Sequence, residues 1–324
     1  RSARGDLHEL ARARSSRWTA LMSSELLVVV GPTASGKTEL AVRLAEVFGG
    51  EIVSADSVQV YTRFQIGTGK PTAEERARAP HHLIDIVEPD QPMDAAEWAR
   101  LAEAAIREIE GRGKTPIVCG GTFLWVRALL WGLAATPPAD ARIRRAHEER
   151  AAAEGRASLH AELAGVDPAS AARLNANDFV RVSRALEVFE LSGVTLSQWH
   201  AEHQFRELRH PHRLIGVRHE PAGLDARIAA RVTSMLESGW IAEVQGLVAD
   251  GFGGARAMTS VGYRQVHEAV ASGVGGDLAE RITRATRVFA RRQRTWLRSQ
   301  PVRWLDPGAA ASGDLRVLVA PETE

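Results

Sequence analysis

Residues 26–47 constrain what this chain can fold into more than any other stretch. An apolar run, Leu26–Val30, meets Gly31, Pro32, Thr33, Ala34, Ser35, Gly36, Lys37 and Thr38, after which apolar residues recur at Leu40, Ala41, Leu44, Ala45 and Val47. The continuous run followed by helical periodicity predicts a buried strand, a glycine loop and an amphipathic helix. This is the G-x-x-x-x-G-K-[ST] pattern in the strand-to-helix context that gives it meaning. Glycines let backbone N–H groups turn toward phosphate oxygens with no Cβ in the way. The helix N-terminus adds partial positive charge. Lys37 adds a full charge, and the Thr38 hydroxyl can ligate Mg²⁺. A di- or triphosphate is expected in this loop. The pattern does not say what happens to it.

With 324 residues the chain suits one large domain or two. Its 44% hydrophobic and 25% charged content is that of a globular protein. No apolar run approaches ~20 residues, so no membrane span is expected. The single cysteine, Cys119, excludes an internal disulfide and suits a reducing, cytoplasmic setting. Only three lysines occur, Lys37, Lys70 and Lys114, which makes the one in the glycine loop pointed. Residues 1–21 are arginine-rich without the apolar core of a secretory signal. They are expected to be a disordered or non-native extension ahead of Met22.

Strand–helix alternation continues to residue 131. Residues 51–56 read as a second strand ending on Asp56, and residues 57–70 as an irregular segment. Thr72 followed by Glu74 and Glu75 signals a helix start. Residues 94–110 read as a helix, 116–119 as a buried strand broken by Gly120, Gly121 and Thr122, and 123–131 as a helix. The alternation predicts a parallel, doubly wound sheet over a first core part, residues 22–134. From 135 to 205 the chain is rich in Ala, Arg and Glu with helical spacing and no convincing strand, which predicts an all-helical insertion. Residues 213–217 return to the sheet within a second core part, residues 206–324. Helices are expected at 224–236, 241–247, 259–270 and 279–298, and a last strand at 302–305. The fold class expected is α/β, with a P-loop NTPase-like sheet and a helical insertion domain.

In an open parallel sheet, ligands bind beyond the carboxyl ends of the strands. The glycine loop, Asp56 and the turn at Thr122 all fall at such ends. A nucleotide hydrolase would carry an Asp at the end of a strand like 116–119 to steady the metal; here Gly-Gly-Thr follows instead. Either Asp56 or Asp85 holds the metal, or the loop serves a reaction other than hydrolysis. Asp56 could equally be a turn residue, and Thr122 a helix N-cap. His81 and His82 are adjacent and lack ligand spacing for zinc. Cys119 reads as a small buried hydrophobe. Eight arginines and no Asp or Glu lie in residues 281–305, and Arg284, Arg287, Arg291, Arg294 and Arg298 share one helical stripe. Such a stripe is neutralised by an anionic polymer or by acids elsewhere in the fold.

Eight blocks carry a family resemblance: GPTASGKT (31–38), SADSVQVY (54–61), IGTGKP (66–71), APHHLIDI (79–86), GGTFLWVRALLWGL (120–133), NDFVRVSRALEVF (177–189), VGYRQ (261–265) and RRQRTWLR (291–298). Together they resemble bacterial tRNA dimethylallyltransferases from about residue 26 to residue 305. The resemblance implies transfer of a dimethylallyl group from dimethylallyl diphosphate to the exocyclic amine of the adenosine 3′ of the anticodon in tRNA. The glycine loop would then hold a leaving diphosphate with Mg²⁺ on Thr38, which accounts for the missing hydrolase acid. By the same resemblance Asp56 is the base, Thr122 and Arg144 are linked to activity, and Arg227 clamps diphosphate. Asp56, Ser57, Val58 and Gln59 are implied to face tRNA, as are Val180, Arg181, Val182, Ser183 and Arg184 of the insertion. Arg264, Arg291, Arg294 and Arg298 complete the implied interface with the anticodon stem-loop. Trp125 stands where the family commonly has Tyr, implying altered packing beside the prenyl pocket. A monomer is expected. Rival readings are a small-molecule kinase or hydrolase, a prenyltransferase for free adenine nucleotides, and a non-catalytic RNA-binding protein. The arginine stripe and the insertion favour tRNA over a free nucleotide.

Overall fold

The structure is a computed structural model that describes residues 25–204, 206–273 and 275–320; the expected extension at residues 1–21 lies outside them. Six strands, β1 (Leu26–Val30), β2 (Gly50–Ala55), β3 (His81–His82), β4 (Thr115–Gly120), β5 (His212–Val217) and β6 (Val302–Leu305), form one sheet in the order β3-β2-β4-β1-β5-β6. Every neighbouring pair is parallel, so each connection must cross over, and helices supply most of the crossovers. β1 and β2 are buried at every residue, as strands covered on both faces must be.

Alternation along the strands sorts the two faces. Leu27, Val29, Ile52, Ile117, Cys119, Ile215 and Val217 pack with the Lys37–Phe48 helix on one face. The other parity meets the Ala95–Gly111 helix, whose fully buried Trp98 donates from Nε1 to the Ser54 carbonyl at 3.0 Å. Trp98 stacks on Trp125 with centroids 5.2 Å apart. Asp94 caps this helix through the N–H groups of Ala96 and Glu97. Gly49, at φ 63°, ends the preceding helix in the left-handed conformation and lets β2 begin at once.

One local expectation changes, and two features lie outside the sequence reading. The edge strand is His81–His82, after which the chain turns away at Leu83 and Asp85, both in the left-handed region. The helix expected from 259 starts at Tyr263, because Gly262 takes φ +94° beneath the Trp240 ring. Two short helices, Pro307–Ser312 and Leu315–Leu318, follow β6 and carry no sequence signal of their own strength.

Contacts divide the chain into two compact units, Trp131–Leu208 and the residues on either side of it, against an expected helical segment of 135–205. Helices are the regular elements among the described residues of the Trp131–Leu208 unit, and they enclose a core of Leu159, Leu163, Ala171, Val182, Ala185 and Leu186. Its polar centre is Glu187, which is fully buried and accepts from Arg144 at 3.0 Å, Arg184 at 2.7 Å and the Asp140 N–H at 2.7 Å. Burial alone would raise the Glu187 carboxyl pKa, but the bonds from Arg144 and Arg184 outweigh it and hold it below its ordinary value. A depressed carboxyl stabilises the fold above the ordinary carboxylate range and loses that stabilisation as pH falls through its own lowered value. Glu187→Ala is expected to destabilise the protein by roughly 3 kcal/mol at neutral pH, because it strands two guanidiniums. Denaturant melts should show this difference shrinking in acid; an unchanged midpoint at pH 7 would contradict it.

Candidate active site

The glycine loop leaves β1 at Val30 and enters the Lys37–Phe48 helix through Gly36, whose φ of +85° is open to glycine at no steric cost. Ala34 is also left-handed, at φ +63°, which costs a non-glycine residue on the order of 1 kcal/mol. Three long-range side chains hold the loop in this shape. Arg227 Nε donates to the Ala34 carbonyl at 2.8 Å, and His219 Nε2 to the Ser35 carbonyl at 2.9 Å. The buried Gln293 carboxamide accepts from the Thr33 N–H and donates to the Gly121 carbonyl, both at 2.9 Å.

A cavity of about 380 Å³ opens at the carboxyl ends of β1, β2 and β4. Lys37, Thr38, Asp56, Thr122 and Arg231 are among its polar lining, and Ile228, Met235, Trp240, Ile282 and Phe289 among its apolar lining. Burial lowers the Lys37 pKa, with Asp56 acting in the opposite direction. Burial lowers that of Arg231 as well. Two poorly hydrated cations at the foot of one cavity favour an anion between them. Cys119, beneath the loop, is pushed up to about 12 by burial and stays a thiol.

Asp56 combines the turn and site readings. Its Oδ1 accepts from the N–H groups of Val58 and Gln59 at 3.0 and 3.3 Å, an Asx turn that fixes the carboxylate. Thr122 does not cap its own helix through its hydroxyl; Oγ1 accepts from the Ser57 N–H at 3.0 Å, across the cavity floor from its own turn. Asp85, the alternative acid, is engaged elsewhere by Lys70 at 2.5 Å and Arg76 at 3.2 Å. His82 pairs with Glu51 at 2.7 Å. Trp125 stacks on Trp98 and is not part of the cavity lining.

The remaining residues singled out in the sequence separate by exposure. Ser57, Val58 and Gln59 line the cavity. Val180 is 75% exposed and Arg181 lies beside Asp178 on the surface, whereas Val182 and Ser183 are 1% and 3% exposed and face the helical core. Arg144 and Arg184 are both bound by Glu187. On the Leu278–Leu297 helix, Arg284 and Arg287 pair with Glu280 and Asp225. Among the described residues no carboxylate pairs with Arg291, Arg294 or Arg298. Arg264 lies 3.9 Å from Glu268. Arg231 and Gln293 were not anticipated. Arg231 follows Arg227 by one helical turn, a spacing visible in the sequence; Gln293 interrupts an arginine run and gave no signal that it points inward.

The fold and cavity define an α/β protein with a cation-rich pocket at the carboxyl edge of a parallel sheet. The model of the IPP transferase family matches residues 59–300, and that of the isopentenyl transferases residues 24–86. A tRNA dimethylallyltransferase of Sorangium cellulosum is 64% identical over 87% of this chain and 90% of its own length. One of Geobacter sulfurreducens is 47% identical over 87% and 92%. The crystal structure of the tRNA isopentenylpyrophosphate transferase of Bacillus halodurans superposes with a TM-score of 0.64 at 35% identity, covering 87% of this chain and 90% of that one. A eukaryotic dimethylallyltransferase acting on tRNA superposes with a TM-score of 0.72 at 26% identity, over 87% and 74%. The chain belongs to the IPP transferase family, among the tRNA dimethylallyltransferases.

An anion seated beside Lys37 raises its pKa from the depressed value toward the ordinary one. Between the free and bound values, binding therefore takes up a proton. Calorimetry of inorganic diphosphate binding in alkaline buffers of different ionisation enthalpy should show uptake that Lys37→Met abolishes. Proton release, or uptake that survives this substitution, would contradict the assignment.

Proposed function

We propose that this chain transfers a dimethylallyl group from dimethylallyl diphosphate to the exocyclic amine of the adenosine 3′ of the anticodon in tRNA, releasing diphosphate. One observation carries the reading: in a chain of this family, Lys37, Thr38 and Arg231 share a single cavity with the fixed carboxylate of Asp56. The glycine loop acts as a P-loop for the diphosphate. Lys37, Arg231 and the loop N–H groups stabilise the charge that grows on the leaving oxygens. Arg227 braces the loop at Ala34 and presents its guanidinium beside Gly36. Thr38 offers a hard oxygen beside Lys37 and fits Mg²⁺, an ion that takes few protein ligands and keeps phosphate oxygens and water. Bound there, the ion neutralises charge on the diphosphate.

An adenine amine is a weak nucleophile because its lone pair is delocalised into the ring. As nitrogen bonds to the allylic carbon, the carbon–oxygen bond to diphosphate breaks and the nitrogen must lose a proton. Asp56 takes it through the carboxylate oxygen that the Asx turn leaves unused, a contribution typically worth ~10²–10⁴-fold. Thr122 holds the Asp56 turn from the opposite side through Ser57. The apolar lining accommodates the dimethylallyl tail. Arg181, Arg264, Arg291, Arg294 and Arg298 contact the anticodon stem-loop, as does Val180, and the helical segment forms an insertion domain that grips it. The target base must leave its stack to reach the cavity, which is least costly in a loop. We read the enzyme as a cytoplasmic monomer; among the described residues no helix is long and apolar enough to cross a membrane.

Asp56→Asn keeps an oxygen for the Asx turn and removes the base. Single-turnover transfer to unmodified tRNA is expected to fall by ~10²-fold or more while RNA affinity stays near that of the wild type. An unchanged rate, or a loss of affinity that matches the loss of rate, would overturn the base assignment. A wild-type protein that forms no allylated RNA would overturn the function.

A further inference from the structure

A second cavity, of about 310 Å³, opens at the carboxyl ends of β5 and β6. It lies back to back with the first. Pro32 lines it, while its neighbours Thr33 and Ala34 line the first cavity; likewise Arg294 lines it, while Gln293 lines the first. Its floor is apolar, with Val217, Leu224 and Leu297 buried beneath it. Trp304 stands beside them with its ring laid on Gly216, where a Cβ would come within 2.8 Å of the indole. Arg218, Arg294 and Arg298 bring three guanidiniums to the rim. Among the described residues none of the three has a carboxylate partner, although Arg284 and Arg287 on the same helix do. The rim also carries Glu220 and His219, whose Nε2 is bound to the Ser35 carbonyl.

Three like charges gathered at a rim that carries a single acid, Glu220, leave net positive charge that an anion neutralises. A bare phosphate would satisfy them and leave the indole and the apolar floor wet. A nucleotide answers both features, since guanidiniums take its phosphate and an aromatic, apolar surface takes its base. Glu220 is left as an acceptor for a base N–H or a ribose hydroxyl.

We propose that this cavity holds a second nucleotide of the RNA, a loop neighbour of the target base, with its phosphate on Arg218, Arg294 and Arg298 and its base over the floor beside Trp304. The inference rests on the reading of the first cavity as the site of transfer to tRNA. One RNA loop can enter both cavities at once, because only the glycine loop and one helix divide them. The second nucleotide thereby sets the register in which the target adenosine enters.

Arg218 is the residue to test, because it is exposed, lies outside the diphosphate cavity and is bound to the sheet through its backbone N–H to the Leu305 carbonyl rather than through its side chain among the described residues. With unmodified tRNA transcript, Arg218→Glu is expected to bind on the order of tenfold more weakly and to lower the log–log salt slope by about one. Arg218→Ala should move both quantities the same way by less, and inorganic diphosphate binding should match the wild type in both variants. RNA affinity and salt slope equal to the wild type in both variants would overturn the proposal while leaving transfer to tRNA standing. Adenosine monophosphate that binds the wild type but not Arg218→Glu, and leaves tRNA binding undisturbed, would assign the cavity to a free nucleotide and also overturn it. Loss of RNA allylation by the wild type itself would take down the underlying reading instead.

Discussion

The carboxamide of Gln293 is the interaction on which the site's construction depends. One buried side chain, 5% exposed, accepts from the glycine loop at Thr33 and donates to the turn after β4 at Gly121. It thereby joins the loop after β1, the turn after β4 and the arginine-bearing helix at a single point. Both ends of the amide are matched, so neither backbone group is left unsatisfied in a buried position, where each would cost ~1–3 kcal/mol. The fit leaves no slack: a Cβ at position 121 would lie 2.5 Å from the Gln293 nitrogen. Movement of the arginine-bearing helix is therefore mechanically coupled to the glycine loop, which is the coupling that the proposed RNA and diphosphate sites would share.

The electrostatics follow from that assembly. Lys37 and Arg231 are held in a partly desolvated cavity where burial weakens their hold on a proton. Such cations are under-solvated before a ligand arrives, so an arriving diphosphate meets charge that needs little reorganisation. Asp56 sits in the same cavity yet is fixed by two backbone N–H groups rather than by an ion pair. The acid that could have been lost to a salt bridge is Asp85, which lies under Lys70 and Arg76. This separation leaves the Asp56 carboxylate in the cavity, as the proposed base role requires, while Asp85 holds the irregular segment after β2 in place.

Much of this was legible in the residues because the signals were local. The apolar runs of β1 and β4, the capping residues Thr72 and Asp94, and the glycine loop each declare themselves within a few positions. The parallel sheet follows from their alternation, although its edge strand, His81–His82, gave no strand signal. What escaped was set by tertiary contacts. Gln293 looks like one more polar residue of an exposed arginine stripe, and only packing shows it turned inward. Arg144 and Arg184 read as free cations until the buried Glu187 is seen between them. Val182 and Ser183 fall within a block that the resemblance assigns to RNA, but a helix presents neighbouring residues to different sides and these two are buried. The start at Tyr263 depends on Trp240 covering Gly262, a contact between residues far apart in sequence.

The central claim is that a loop pattern ordinarily tied to ATP here retains a departing diphosphate while a carboxylate across the cavity relieves an RNA amine of its proton. Its most direct measurement is a balance of products. Protein, unmodified tRNA, Mg²⁺ and dimethylallyl diphosphate are mixed, and added mass on the RNA is compared with diphosphate released, with ATP replacing the allyl donor as control. The account predicts one dimethylallyl group on an anticodon-loop adenosine for each diphosphate freed, and no comparable phosphate release from ATP. Brisk ATP turnover with unmodified RNA would contradict it.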